Sequence, residues 1–120
     1  MGAKIEKFED LEVWKLGMQL AEKTYRSLKG CNDYSLRDQM QRPALSVPSN
    51  IAEGYERNSN RDFIRHLFIA QGSCAELRTQ IYLCMKIRQL SNADGQLLLD
   101  GTKKLSAMLY NLIKTRKERF

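Results

Sequence analysis

The sequence predicts an all-α protein, an up-down-up-down antiparallel four-helix bundle in which residues 1–120 form one domain. Apolar residues recur in alternating steps of three and four along four successive segments, which is the period of a helix with one buried face. Short breaks rich in Asn, Asp, Ser and Gly separate these segments. Because short connections make neighbouring helices antiparallel, and seams of this period cross at shallow angles, we expect a bundle without strands.

The first helix is predicted from Asp10, where the first apolar stripe begins. Gly30 and the polar residues at 32 and 33 end it. The stripe expected to face the core consists of Leu11, Trp14, Met18, Ala21, Tyr25 and Leu28.

The second helix contains two prolines. Pro43 and Pro48 lack the backbone N–H that bonds to the fourth preceding carbonyl, so we expect this helix to be kinked or briefly broken near residues 42–48. Ser46 and Ser49 are close enough to satisfy backbone groups freed by a bend. The core stripe passes through the proline region with one slip, as Leu36, Met40, Ala44, Val47, Ile51 and Tyr55.

The third and fourth helices repeat the same seam after breaks at residues 58–60 and 92–95. Their stripes are Phe63, Leu67, Ala70, Cys74, Leu77, Ile81 and Cys84, followed by Leu98, Gly101, Leu105, Met108 and Leu112. Three helix starts also share a serine with an aspartate three residues later, which is typical of an N-cap beside the positive end of the helix dipole. These pairs are Ser35 and Asp38, Ser59 and Asp62, and Ser91 and Asp94.

Composition is that of an ordinary globular protein, with 42% hydrophobic and 28% charged residues. No apolar run approaches the roughly 20 residues that cross a bilayer, and the charged N-terminal segment lacks the apolar stretch of a secretory signal. We therefore expect a cytoplasmic protein without a membrane partner. Cys31, Cys74 and Cys84 are odd in number and have no Cys-x-x-Cys spacing, so we expect them to be reduced core residues.

The net charge of +6 is concentrated in the second half of the chain. Residues 1–30 carry six basic and five acidic groups, residues 31–60 three and four, residues 61–90 five and two, and residues 91–120 six and three. Such an excess is compatible with a polyanionic partner, and the alternative is a merely solubilising surface. The candidate nucleic-acid-binding residues on the third and fourth helices are Arg61, Arg65, Arg78, Lys86, Arg88, Lys103, Lys104, Lys114, Arg116 and Lys117.

A polar stripe shares the second helix with its core stripe. At about 100° per residue, Ser46, Asn50, Glu53 and Arg57 lie within a narrow arc. Glu53 and Arg57 have the spacing of a surface ion pair, and the alternative is a contact between subunits. Gly54 indicates a close neighbour: either the third helix at its small residues 72 and 73, or another subunit.

Three stretches carry a family resemblance. "FEDLEVWKLGMQLA" (8–21), "SVPSNIAEGYER" (46–57) and "FIRHLFIAQGSCAEL" (63–77) resemble, in order, the signature stretches of the four-helix-bundle family of proteins encoded in bacterial 23S rRNA intervening sequences. Pro43 departs from the family pattern. The signature positions that we also consider as candidate subunit contacts are Pro48, Asn50, Glu53, Gly54, Arg57, Gly72, Ser73 and Glu76.

The resemblance implies a left-handed bundle that assembles as a ring-shaped homopentamer, binds nucleic acid and has no established catalytic activity. It also implies a relation to the accessory protein of diversity-generating retroelements, a basic pentamer that binds RNA and the reverse transcriptase. Five copies of a +6 chain would carry +30, a charge that could hold a polyanion through counterion release.

Enzyme and metal functions are not indicated by the sequence. His66 is the only histidine, and no nucleophile and base can be paired with it. His-x-x-x-His, paired cysteines and Glu-x-x-His are all absent from the sequence, so we expect no catalytic, cofactor or metal site. The sequence also shows no RNA-recognition motif or aromatic stacking platform, so binding should be led by shape and charge.

Two functional hypotheses follow. The first is a non-enzymatic homo-oligomer, a pentamer, that binds structured nucleic acid, RNA rather than DNA, through the basic surface of the third and fourth helices. The alternative is an adaptor that recruits a polymerase, a reverse transcriptase or a ribosomal component. A second apolar stripe on the third helix favours self-association in both cases, unless it only widens the core; it consists of Ile64, Phe68, Tyr82 and Met85.

Overall fold

Four helices wind up and down around one core. The computed structural model describes residues 4–120, so the first three residues of the predicted domain lie outside the description. A short 3₁₀ helix (Phe8–Asp10) precedes α1 (Glu12–Ser27), α2 (Tyr34–Glu56), α3 (Asn60–Lys86) and α4 (Asn92–Arg119). Within residues 4–120 there is no strand, which confirms the predicted all-α bundle. None of these helices is both long and apolar enough to cross a membrane.

Contacts between helices show the antiparallel arrangement. Each helix packs on the next one in the chain, and α1 also packs on α4, which closes the bundle. Between α3 and α4, the Phe68 ring lies next to Lys117, while Cys74, further along α3, contacts the earlier residue Thr102. The two helices therefore run in opposite directions, side by side.

The helix starts confirm two of the three predicted caps. The hydroxyls of Ser59 and Ser91 accept hydrogen bonds from backbone N–H groups three residues later, at 3.3 and 3.1 Å. The predicted cap at Ser35 is wrong, because the Asp33 carboxylate accepts the N–H of Leu36 at 3.0 Å and α2 already begins at Tyr34. The Asp33 carboxylate thus bonds the free N–H of the first turn of α2, and Ser35 lies inside that turn instead of at the N-cap.

Helix α2 continues through both prolines. It is helical from Tyr34 to Glu56, so the predicted break near residues 42–48 is wrong, and the kink stays a prediction. Both Pro43 and Pro48 are buried. The Pro48 ring packs on α1, where a methyl group added to Gly17 would lie 3.5 Å from Pro48 Cβ. Packing against α1 thus offsets the hydrogen bond that Pro48 cannot donate.

The core confirms the stripe predicted for α3, because all seven of its residues are buried. On α2, the four central residues from Met40 to Ile51 are buried, and Leu36 and Tyr55 pack against the core from its edge. On α4, the buried face is rotated relative to the prediction. Gly101, Met108 and Leu112 are half-buried, and the face is completed by Gly95, Leu99, Thr102, Leu109 and Ile113.

The stripe predicted for α1 is partly wrong. Met18 and Tyr25 are 43% and 40% exposed, and Gly17 and Thr24 are buried instead. The Thr24 hydroxyl donates to the Leu20 carbonyl oxygen at 2.7 Å, so its polar group is satisfied within its own helix. A small residue and a self-satisfied threonine therefore take core positions that the apolar pattern assigned to larger side chains.

The three cysteines are buried free thiols, as predicted. Cys74 donates to the Thr102 carbonyl oxygen at 3.3 Å, and the Cys84 sulfur lies 3.1 Å from that of Met40. Burial raises the pKa of the Cys74 and Cys84 thiols to about 11. Both thiols are therefore protonated at neutral pH and act as small core residues.

Candidate interaction surfaces

The polar stripe of α2 lies along its seam with α3. The hydroxyl oxygens of Ser46 and Ser73 are 2.9 Å apart, and the Asn50 amide donates to the Ser46 carbonyl oxygen at 2.9 Å and to its hydroxyl at 3.0 Å. The Ser46 hydroxyl therefore bonds across to α3 instead of satisfying a carbonyl freed by a proline. This half-buried network fixes the two helices against each other within one chain.

Gly54 is the point of closest packing between α2 and α3. A Cβ atom at Gly54 would lie 2.5 Å from Cβ of His66 and 3.3 Å from Cδ1 of Phe63, so the site admits only glycine without movement. This result supports the intrachain alternative for Gly54. The neighbour is not the predicted small patch, however, because a Cβ at Gly72 would meet nothing within 4 Å.

Glu53 and Arg57 form the predicted surface ion pair. Their side chains are 3.0 Å apart and about half exposed, and the hydrogen bond from Arg57 lowers the pKa of the Glu53 carboxyl. The buried His66 ring lies between this pair and its own helix: Nε2 is 3.8 Å from Glu53 Oε1, and Nδ1 is 2.9 Å from the Asp62 carbonyl oxygen. The pair thus marks the outer edge of the α2–α3 seam.

A row of exposed aliphatic residues runs along α3 to its C-cap residue, Ile87. Ile69, Leu83 and Ile87 are 42%, 47% and 45% exposed. Gly72 and Glu76 lie between them and are also exposed. Because residues seven apart fall on almost the same side of a helix, Ile69, Glu76 and Leu83 form one line. We call this surface, made of Ile69, Gly72, Glu76, Leu83 and Ile87, the aliphatic face.

The other side of α3 forms a continuous surface with α4. On α3, Phe68 and Tyr82 are fourteen residues apart and fall on one line, and on α4 a spacing of seven aligns Lys103, Tyr110 and Lys117. The Lys117 ammonium lies 4.9 Å from the centre of the Phe68 ring, so the two lines run side by side. We call this surface the basic–aromatic face; it consists of Phe68, Arg78, Tyr82, Lys86, Lys103, Tyr110, Lys114 and Lys117.

The aromatic part of this face was not predicted from the sequence. Phe68, Tyr82 and Tyr110 are 46%, 44% and 62% exposed among the cations. The spacing of fourteen residues on α3 and of seven residues on α4 is visible in the sequence, but only the antiparallel register brings the two lines together. The second apolar stripe is divided accordingly, since Ile64 and Met85 pack against the core while Phe68 and Tyr82 are exposed.

The remaining predicted nucleic-acid-binding residues lie elsewhere. Arg116 connects the end of α4 to the start of α3: its Nε donates to the Asn60 side-chain oxygen at 2.7 Å, and its guanidinium lies 3.9 Å from the Phe120 ring centre. Desolvation lowers the pKa of this guanidinium. The other four residues are exposed outside the face: Arg61, Arg65, Arg88 and Lys104.

The cations of α3 and α4 differ from those of the first two helices in their ion pairing. Among residues 4–120, four lysine and arginine side chains lie within 4.0 Å of an Asp or Glu oxygen, and all four precede α3: Lys15, Arg26, Arg37 and Arg57. None of the eleven lysines and arginines from residue 60 onwards has an Asp or Glu oxygen within 4.0 Å among the described residues 4–120. In the same described residues, no group of three or more His, Cys, Asp or Glu is placed to hold a metal ion.

Comparison with protein families decides the relationship suggested by the three sequence stretches. The profile described as "23S rRNA-intervening sequence protein" matches residues 9–111. The chain belongs to this family. As a member of the 23S rRNA-intervening sequence protein family, it carries the last two signature stretches wholly within the matched region and the first from its second residue onwards.

A solved structure agrees with the fold of this 23S rRNA-intervening sequence family member. It is the crystal structure of a protein of unknown function from the S23 ribosomal protein family of Bacteroides thetaiotaomicron, 22% identical, with a TM-score of 0.77. The similarity covers 86% of this chain and 99% of the other. At this identity the likeness concerns the bundle alone. A search of curated proteins gives no match.

Proposed function

We propose that this protein is a non-enzymatic homo-oligomer that binds structured RNA through the basic–aromatic face. The observation that carries the proposal is the segregation of charge: residues 60–120 hold eleven cations and five carboxylates, and no carboxylate in the described chain neutralises any of those cations directly. Exposed cations without a carboxylate partner are free to replace the counterions of a phosphate backbone. The membership in a family named for 23S rRNA intervening sequences supports RNA as the polyanion.

Binding of a structured RNA is expected to depend steeply on salt. If each of the five cations on the face contacts one phosphate, the logarithm of the association constant should fall with a slope of about −3.5 to −4.5 against the logarithm of salt concentration. Affinity would then drop on the order of 100-fold between roughly 50 and 200 mM salt. Filter binding of a folded RNA across this range measures the slope. A flat salt dependence, or no binding at the lowest salt, would contradict RNA binding and favour the alternative, an adaptor that recruits a protein partner.

The aliphatic face supports the self-association part of the proposal. Three exposed aliphatic side chains share one side of α3, and the space above Gly72 would let a second helix approach closely. The aliphatic face contains one charged residue, Glu76. Two copies can therefore meet there without the charge repulsion expected between two basic–aromatic faces. We propose that this face of each copy packs on a different surface of the next copy, since only such a heterologous contact can close a ring of five chains.

Replacing Ile69 and Leu83 by serine is expected to convert the oligomer to monomers while leaving the helix content unchanged. Both residues are exposed in the single chain, so their loss removes apolar area from the contact between copies without opening the core. Native mass spectrometry gives the number of chains. The matched control replaces Met18 and Leu97, which are 43% and 66% exposed on other helices, by serine. An unchanged oligomer in the first variant, or equal dissociation of both, argues against this face as the contact.

A further inference from the structure

The three rings of the basic–aromatic face have no partner in the core. Phe68, Tyr82 and Tyr110 are exposed, and each lies next to cations on the same surface. The Lys117 ammonium lies over the Phe68 ring, while Tyr82 is four residues from both Arg78 and Lys86. Residues four apart are neighbours on a helix surface. Rings and cations therefore alternate along the face.

The antiparallel register spaces these rings regularly. Phe68 and Tyr82 are separated by fourteen residues, or about 20 Å along α3 at 1.5 Å per residue. Tyr110 lies seven residues before Lys117, which is opposite Phe68, so its ring comes about midway between the other two. A single extended ligand can contact all three rings while it passes the five cations.

We propose that the basic–aromatic face binds single-stranded segments of RNA, with bases stacked on the three rings and phosphates held by the five cations. This inference rests on the proposed RNA-binding function and specifies the part of the RNA that the face recognises. In a duplex, the bases are already stacked and only the backbone and groove edges are accessible, so exposed rings gain nothing there. Unpaired bases stack on aromatic side chains whatever their sequence.

A second copy of the chain is a less suitable occupant for this face. Pairing two such faces would bring ten cations together without intervening carboxylates, because the face itself contains no Asp or Glu. Like charges opposite each other at a contact oppose association. A single strand supplies one negative charge per nucleotide together with an unpaired base, and so matches both components of the face.

The test compares two RNA probes and two pairs of tyrosines. The probes are an unstructured oligouridine of about 16 nucleotides, at the upper end of common single-strand site sizes, and a blunt RNA duplex of the same length. Tyr82 and Tyr110 are replaced by leucine in one variant. The control replaces Tyr25 and Tyr34, which are 40% and 64% exposed on the first two helices, by leucine. Fluorescence anisotropy gives the affinities, and circular dichroism confirms that both variants fold.

We expect the Tyr82 and Tyr110 variant to bind the oligouridine at least about 25-fold more weakly, since each stacked base contributes about fivefold or more. Its affinity for the duplex, and both affinities of the control, should change less than about threefold. Equal loss for both probes, or no loss for either, would overturn the single-strand assignment while the wild type still binds RNA. A wild type that binds neither probe at low salt would overturn the RNA-binding function itself. A variant that loses oligomeric state instead of affinity would reassign the face to self-association.

Discussion

Removing three cations from the basic–aromatic face is expected to weaken RNA binding on the order of 100-fold near 0.15 M salt. The variant carries Arg78→Gln, Lys103→Gln and Lys114→Gln. Each residue that contacts a phosphate contributes about 0.7 to 0.9 to the salt slope, so the slope should fall by about 2 to 3. Lys103 and Lys114 are exposed and Arg78 is half-buried, so the core is retained. Filter binding over a salt series measures both quantities.

A control variant with the same loss of formal charge distinguishes phosphate contacts at the basic–aromatic face from long-range attraction by the net charge of the protein. It carries Lys23→Gln, Lys29→Gln and Arg42→Gln, three exposed cations from the first half of the chain with the same numbers of lysine and arginine. Long-range attraction depends on net charge, whereas counterion release depends on which cations contact phosphates. If both variants lose affinity and slope equally, the basic–aromatic face is not the binding surface.

The parts of the fold that local chemistry specifies could be predicted from the sequence. Four apolar stripes gave the helix number, and serine caps at residues 59 and 91 gave the starts of α3 and α4. The buried stripe of α3 was predicted completely, because all seven of its residues, from Phe63 to Cys84, are apolar. Antiparallel order then followed from the short connections.

The orientation of α1 could not be predicted in the same way. Its core face includes Gly17, which leaves room for Pro48, and Thr24, whose hydroxyl is satisfied inside the helix. Neither residue is apolar enough to appear in a hydrophobic pattern, so the pattern predicted Met18 and Tyr25 as core residues, and both are exposed. The same reason applies to Thr102 on α4, whose hydroxyl donates to the Leu99 carbonyl oxygen at 2.7 Å.

The candidate sites show a similar division. The basic residues could be enumerated from the sequence, but their grouping depends on the contact between Lys117 and Phe68, which fixes the register of α4 against α3. A list of basic residues does not show which of them are available to a ligand. Arg116 has the same charge as its neighbours, yet Asn60 and two aromatic rings hold it at the end of the bundle. Family signature residues are divided likewise, because Pro48 and Gly54 pack within the chain while Gly72 and Glu76 are exposed.

Replacing Gly54 by alanine is expected to lower the free energy of unfolding by about 2 kcal/mol, typical of overpacking a tight interface. The added methyl would lie 2.5 Å from His66 Cβ, an atom attached directly to the α3 backbone, so α2 and α3 must move apart to admit it. Separation would also disturb the half-buried bonds among Ser46, Asn50 and Ser73 along the same seam. Urea denaturation monitored by circular dichroism measures the loss.

Gly72→Ala is the matched control, because it makes the same chemical change in the middle of α3 where the new methyl would meet nothing of its own chain within 4 Å. Because Gly72 belongs to the aliphatic face, both alanine variants are measured in the Ile69→Ser, Leu83→Ser background, in which contacts between copies through that face are removed. Alanine is favoured over glycine in a helix by about 1 kcal/mol, so Gly72→Ala should be more stable than this parent protein. The same propensity gain is present in Gly54→Ala, and a net loss there therefore underestimates the cost of the clash. If Gly54→Ala is as stable as Gly72→Ala, the α2–α3 seam is looser than the 2.5 Å approach implies, and Gly54 must owe its place in the signature to a contact outside the chain.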